Sequence, residues 1–287
     1  MNKVINLFKE IKYDTNYFVA KRKLYFQIIQ VGVGGTGSTL VQQLTQLLAA
    51  SDVYCSYLLA DPDVFEEKNL KNQLCCEYDV GKSKAKVLAE RYGSVYDLNI
   101  SYYDKSYIED TSVLKMFLES IDEAAAHRND VVRIPILIGC VDNNYTRQIM
   151  HEYFIESNRL IYIDAGNESV QMAEGPIEKW SFDEKENYNQ SGYTGQVVCG
   201  VRLNNETYVA PVGEVFANIL EEKDEIAPSE MSCAEMSASD PQRMITNKFS
   251  ALCLMTFLNE LIACGELSSH YILFHARKGY MRQFAIM

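Results

Sequence analysis

No stretch of this sequence is apolar for long enough to cross a membrane. The run at residues 251–258 is closed by Asn259 and Glu260, and a span needs roughly 20 apolar residues. The opening residues, MNKVINLFKEIKYD, hold no uninterrupted apolar stretch, so no signal peptide is expected. The eight cysteines, at 55, 75, 76, 140, 199, 233, 253 and 264, form no C-x-x-C pair. That argues against a structural zinc knuckle, and no zinc is expected. Cys140 and Cys253 lie inside apolar runs and read as small buried hydrophobes. The four histidines, at 127, 151, 270 and 275, lack metal-ligand spacing. Positive charge is short as well: 27 Lys and Arg against 39 Asp and Glu give a net charge of −12, which disfavours nucleic acid as a partner. Internal repeats and low-complexity tracts are absent. These absences point to a globular protein of a reducing cytoplasm.

What is present is a run of elements that alternate in type. With 47% hydrophobic residues, 287 residues suffice for one full core. Residues 24–31 (LYFQIIQV) read as a strand, β-branched and aromatic, ending at Gly32. Leu40, Leu44, Leu47 and Leu48 make a helical stripe behind it. Residues 53–60 read as a second strand, 82–92 as a helix, 100–103 as a short strand and 113–126 as a helix. The nearly continuous apolar run 134–141 (IPILIGCV) suits a strand buried on both faces. A helix over 145–156 and a strand over 160–165 follow. This order predicts an α/β fold: a Rossmann-like, mostly parallel sheet with helices on both faces. After Gly166 the pattern changes to antiparallel strands, expected at 169–173 and 196–203. Two polar stretches, 181–195 and 221–240, read as mobile loops. Asp240-Pro241 reads as a helix start and Gly265 as its stop, giving a long helix over 241–264. A hairpin over 271–286 turns at Lys278-Gly279.

The polar residues at the strand ends carry the functional signal. Gly32, Gly34 and Gly37, with Gly35 among them (VGVGGTGS), satisfy G-x-G-x-x-G between a strand and a helix. That spacing allows a tight turn, close approach of phosphate to the backbone, and close helix packing. The open amides at the helix start then face an anion. Asp61 closes the second strand, where a carboxylate can accept from ribose hydroxyls; the alternative is a helix cap or turn former before Pro62. Taken alone, the glycines and Asp61 fit NAD as well as ATP.

The next segments are more specific. Asp61-Pro62-Asp63 leads to Asn69-Leu70-Lys71-Asn72-Gln73, then to Val80-Gly81-Lys82-Ser83-Lys84, and later to Cys140-Val141-Asp142-Asn143 and Arg147. This series resembles the ThiF/MoeB family, the fold of ubiquitin-activating enzymes, which carries a glycine loop, D-x-D, N-L-x-R-Q, V-G-x-x-K and C-x-D-N. The resemblance covers residues 30–150. It implies one ThiF-like domain over 1–287, with a nucleotide-binding part at 22–165 and a C-terminal part at 166–287. It further implies that Asp61 holds the ribose, that Asn69 and Lys84 contact phosphates, with Asp63 and Asn72 lining the site, and that Asp142 holds Mg²⁺ beside the α-phosphate. The implied reaction is adenylylation of the C-terminal carboxylate of a ubiquitin-like or sulfur-carrier-like protein by ATP, with Lys84 and Asp142 catalytic and a homodimer as the working unit. Alternative roles stay open: Lys84 as solvated helix surface, Asp142 as a helix cap.

Three departures from the family pattern stand out. Asn72 replaces the usual arginine, with Lys71 or Lys82 as candidate substitutes. Of the arginine expected upstream of the first strand, Arg22 is the sole candidate nearby, and its surroundings do not match. The zinc-binding cysteine pairs are missing. Cys233, in Ser232-Cys233-Ala234-Glu235, fits the first turn of a capped helix. A helix start lowers a thiol's pKa, which makes Cys233 the candidate for a later thioester; a surface cysteine is the alternative. The segments GNES, GQVVCG and SCAE are similar to a mobile-element-associated ThiF subgroup, the PRTRC-type proteins. Two further readings remain: a nucleotide-binding scaffold without chemistry, and an NAD-linked oxidoreductase, which leaves Asn69, Lys84 and Asp142 without a role.

Overall fold

The computed structural model describes residues 3–10, 23–51, 53–119, 131–221, 227–230 and 242–287. Its strands are β1 (Ile5–Asn6), β2 (Lys23–Val31), β3 (Tyr54–Ala60), β4 (Ile100–Tyr103), β5 (Val131–Gly139), β6 (Leu160–Asn167), β7 (Thr194–Leu203), β8 (Glu206–Val209), β9 (Glu266–Leu267), β10 (Ser269–His275) and β11 (Tyr280–Ala285). Its helices are α1 (Leu7–Glu10), α2 (Gly35–Ala50), α3 (Lys84–Tyr96), α4 (Thr111–Glu119), α5 (Asn144–Glu156), α6 (Phe182–Gln190), α7 (Val212–Val215), α8 (Asn218–Glu221) and α9 (Met244–Asn259).

The main sheet runs β11-β10-β7-β6-β5-β2-β3-β4, with β8 paired to β7. Strands β4, β3, β2, β5 and β6 are parallel. From β7 onward the pairs are antiparallel. The expected architecture is therefore the observed one. Strand order reverses at β2, which has β3 on one side and β5 on the other. In open α/β sheets, ligands bind at the carboxyl ends of strands flanking such a reversal.

The strand residues alternate between two cores. Phe26, Ile28, Ile134, Ile136 and Ile138 meet Leu40 and Leu44 of α2 and Leu254 and Phe257 of α9 on one face. Ile29, Val31 and Leu137 meet Leu114 of α4 and Met150 and Phe154 of α5 on the other. Each such side chain contributes about 1.5–3 kcal/mol on burial, so the sheet is clamped from both faces. No helix among the described residues is long and apolar enough to cross a membrane.

Three expectations need correction. Residues 169–173 are not a strand: only Val170 among them is buried, and no neighbouring strand pairs with them. Residues 181–195 are not a loop throughout. Ser181 accepts from the Glu184 amide while Glu184 accepts from the Ser181 amide, a capping box that starts α6. The long helix begins at Met244, with Arg243 at its N-cap. Asp240 and Pro241 lie outside the described residues. Arg243 is held by tertiary contacts: its guanidinium donates to the carbonyls of Tyr188 and Ser191 and stacks on Tyr188 and Tyr193. The helix does close at Gly265, at φ +66°. The helix expected over 113–126 is described as far as Glu119; residues 120–126 lie outside the described residues.

Candidate nucleotide-binding site

Two of the four glycines between β2 and the first turn of α2, Gly32 and Gly37, are demanded by backbone packing, whatever binds there. Gly32 sits at φ +88°, and a Cβ there would lie 2.6 Å from the Cys140 carbonyl oxygen. A Cβ on Gly37 would lie 2.2 Å from the Gly32 oxygen, and one on Gly35 would lie 2.0 Å from Asn247 Nδ2. Buried Gln30 staples the loop: its Nε2 donates to the carbonyls of Gly32 and Gly37 at 3.0 and 3.1 Å. Gly34 differs. Its nearest neighbour would be Gln73 Nε2 at 3.9 Å. Gly34 is also the N-cap of α2, where no side chain caps the helix and no acid occupies the first turn. The loop is closed everywhere except where an anion would approach the open amides of a 16-residue helix. Beside it, Thr36, Asn167 and Asn247 bond one another and tie α2 to β6 and α9.

Asp61 follows β3 directly and is buried. One of its oxygens accepts from the Val33 amide at 2.8 Å, the other from the Asp63 amide at 2.9 Å. It thereby fixes the glycine loop and its own turn together, and each oxygen retains a lone pair for a further donor. Lys84 opens α3 and is also buried, with its side chain 8% exposed. Its ammonium lies 2.9 Å from Asp63 Oδ2, and Tyr107 donates to Asp63 Oδ1 at 2.6 Å. Lys84 is therefore not solvated helix surface. The attraction of Asp61 and Asp63 outweighs burial and holds its pKa above the usual lysine range.

The segment between β3 and α3 lines the opposite rim. Asn69 is buried and accepts from the Glu66 amide at 2.8 Å, shaping the short 3₁₀ turn Glu67–Lys71. Asn72 caps that turn, and its Oδ1, like Gln73 Oε1, is buried without a hydrogen-bond partner. Such orphaned buried groups are costly unless a ligand meets them. Lys71 and Lys82 are exposed, and Lys82 lies over the Tyr78 ring at 4.3 Å.

Asp142 follows β5 and is exposed. It does not cap α5: Asn143 does, accepting from the Thr146 amide at 2.8 Å. The Asp142 backbone is placed by its neighbours. The Arg147 guanidinium donates to Val141 O at 2.6 Å and Ala165 O at 3.0 Å, and pairs with buried Asp164 at 3.0 Å. An exposed single carboxylate suits Mg²⁺, which takes one or two carboxylates and fills its remaining positions with phosphate oxygens and water. Among the described residues no three His, Cys, Asp or Glu side chains cluster to hold a metal unaided. Cys233 and Arg22 lie outside the described residues.

Residues 19–285 match the ThiF family. The chain belongs to the ThiF family. Its solved structural neighbours include PaaA, at TM-score 0.54 and 15% identity over 91% of this chain and 64% of PaaA. They also include Escherichia coli MccB with ATP, at TM-score 0.52 and 16% identity over 91% of this chain and 63% of MccB. MccB with AMPCPP and MccA matches at TM-score 0.51 and 16% identity, again over 91% of this chain and 63% of MccB. At these identities the likeness shows the fold, and this chain spans less than two thirds of either neighbour's length. No curated protein matches the sequence.

Within this ThiF fold, the structure brings Gly34, Asp61, Asp63 and Lys84 together at the carboxyl edge of the sheet. Tyr107 joins them unforeseen. It lies in YYDKSYIED, a segment with no motif, and it meets Asp63 across 44 positions.

Burial pushes the Asp61 carboxyl up to about 6; Asp63 beside it adds to the rise and Lys84 opposes it. The folded-state value thus exceeds the unfolded value of about 3.9. Folding therefore takes up protons between about pH 4 and 6, and this group's contribution to stability falls as pH rises through that window. Two units are worth on the order of 3 kcal/mol. Asp63 is shifted the other way and acts below the window. The thermal midpoint of the wild type should fall from pH 4.5 to 6.5, and Asp61→Asn should flatten that fall; an unchanged slope in the variant would contradict the assignment.

Proposed function

We infer that this ThiF-family chain is an ATP-dependent adenylyltransferase acting on the C-terminal carboxylate of a ubiquitin-like or sulfur-carrier-like protein. The carboxylate oxygen bonds to the α-phosphorus, the bond from that phosphorus to the bridging oxygen breaks, and pyrophosphate leaves. The observation that carries this reading is the buried Lys84 ammonium, paired with Asp63, whose amide binds the Asp61 carboxylate that in turn holds the glycine loop at the Val33 amide, ahead of an uncapped helix start. A redox dinucleotide needs no such cation at that rim. The neighbour MccB has been solved with ATP, and with AMPCPP and MccA, which supports nucleotide and small-partner chemistry on this fold.

In this reading Asp61 accepts from the ribose, and the open amides around Gly34 and Gly35 face the phosphates. Asn69 and Lys84 reach the same phosphates, and Lys84 offsets charge that grows on the phosphoryl group. Asp142 would hold Mg²⁺, which when bound neutralises phosphate charge. Asn72 stands where the family pattern has an arginine, which leaves one cation fewer. The rest of catalysis is positioning. Cys233 is the residue we assign to a later thioester, formed when its thiolate takes the acyl group and AMP departs. A homodimer is the proposed assembly.

The missing cation at Asn72 favours a second reading, a scaffold that binds nucleotide without reacting. Exchange of labelled pyrophosphate into ATP separates the two. A small protein with an accessible C-terminal carboxylate should stimulate exchange, and blocking that carboxylate should abolish it. Mg-ATP binding with no exchange for any carboxylate-bearing partner would support the scaffold instead.

A further inference from the structure

Tyr107 reaches the site from residues 104–110, between β4 and α4, where the sequence carries no nucleotide motif. Its hydroxyl takes one oxygen of Asp63 at 2.6 Å, while Lys84 takes the other at 2.9 Å. Both bonds involve an ionised carboxylate, the stronger kind. A carboxylate gripped on one oxygen by an aromatic hydroxyl cannot rotate without breaking that bond. Lysine, by contrast, is a point charge on a four-carbon stem with many rotamers. The order of the ammonium is therefore borrowed from the phenol through Asp63. Burial and the neighbouring carboxylate keep the phenol protonated, so it remains a donor. Asp63 occupies one of the three ammonium hydrogens, which leaves donors for a ligand. The negative charges of Asp61 and Asp142 also act on the same ammonium.

We propose that Tyr107 is a positioning residue for the nucleotide site: acting through Asp63, it holds the Lys84 ammonium where the phosphates bind. This role rests on the nucleotide reading above and adds to it a residue from outside the motifs. In this role Tyr107 acts through Asp63, and its effect exists only while Lys84 is present.

The test is a double-mutant cycle on the full chain, with Mg-ATP affinity read from the dependence of the thermal midpoint on nucleotide concentration up to millimolar levels. Tyr107→Phe removes only the hydroxyl and should weaken Mg-ATP by about five- to tenfold, the scale of one charge-assisted hydrogen bond. Lys84→Met should weaken it by at least as much, and the double variant should bind no more weakly than Lys84→Met. Asp63→Asn provides a second cycle with the same expected non-additivity if Lys84→Met folds poorly. Losses that multiply in the double variant, or a Tyr107→Phe that binds like wild type, would overturn the positioning role while leaving the nucleotide site intact. A wild type whose midpoint ignores Mg-ATP would overturn both at once.

Discussion

Replacing Gly37 by alanine should destabilise the fold by roughly 3 kcal/mol, the upper range for forcing atoms into a packed site. The added methyl would sit 2.2 Å from the Gly32 carbonyl oxygen and 2.9 Å from Gln30 Nε2, and neither can retreat without breaking the staple that shapes the loop. Gly32→Ala should cost about as much, since it combines a left-handed backbone with a 2.6 Å approach to the Cys140 carbonyl. The thermal midpoint should drop by roughly 6–12 °C in either variant, at about 2–4 °C per kcal/mol for a chain of this size. Gly34→Ala should behave in the opposite way. Its methyl would meet nothing nearer than 3.9 Å, so the midpoint should move far less, yet the methyl would occupy the space through which a phosphate must approach α2. Mg-ATP affinity should then fall by more than tenfold. Equal destabilisation across all three variants would mean that Gly34 is closed by packing, as Gly32 and Gly37 are.

Asp164→Ala carries the second large effect. Arg147 is 9% exposed and Asp164 1% exposed, and the Arg147 guanidinium also serves Val141 O, Ala165 O and Asn144. Removing the carboxylate strands a buried cation, and breaking such a pair costs about 3–5 kcal/mol. It also leaves the Tyr162 hydroxyl without its acceptor. The consequence reaches the candidate site, because Arg147 fixes the carbonyl immediately before Asp142. Denaturant titration should show the loss in stability. The combined Asp164→Leu, Arg147→Met variant should recover much of it, since apolar replacement of a whole buried pair is often close to neutral. A single variant within 1 kcal/mol of wild type would show that water reaches the guanidinium and takes over its hydrogen bonds.

The parallel half of the fold was legible because its strands are buried on both faces and therefore spelled as apolar runs. IPILIGCV suits a central strand, and β5 is one. Gly265 and Lys278-Gly279 were legible because backbone conformation alone dictates them. The start of α9 was misplaced because a good local signal at Asp240-Pro241 competes with long-range anchors on Arg243, which no window contains. Residues 169–173 were misread because a β-branched residue and its neighbours look like a strand until pairing partners are counted. The capping box that starts α6 was present in the sequence but outweighed by the polarity around it. At the site, Asp61 and the glycines were readable from spacing. Lys84 required the family resemblance, because in isolation GKSKAKVLAER spells a solvated helix. Its burial is a tertiary fact: the folded chain sets Asp63 against its ammonium, and Tyr107 holds the other oxygen of that carboxylate. Tyr107 itself left no signal, since one tyrosine among 19 becomes distinctive only once the chain has folded.

The most direct measurement is calorimetric titration of the purified chain with Mg-ATP, with NAD as a parallel titrant and Asp142→Ala as the comparison. The account predicts micromolar binding of Mg-ATP, little heat with NAD, and binding weakened at least tenfold in the variant or when Mg²⁺ is chelated. Binding of NAD in preference to Mg-ATP, or identical Mg-ATP binding in wild type and variant, would contradict it.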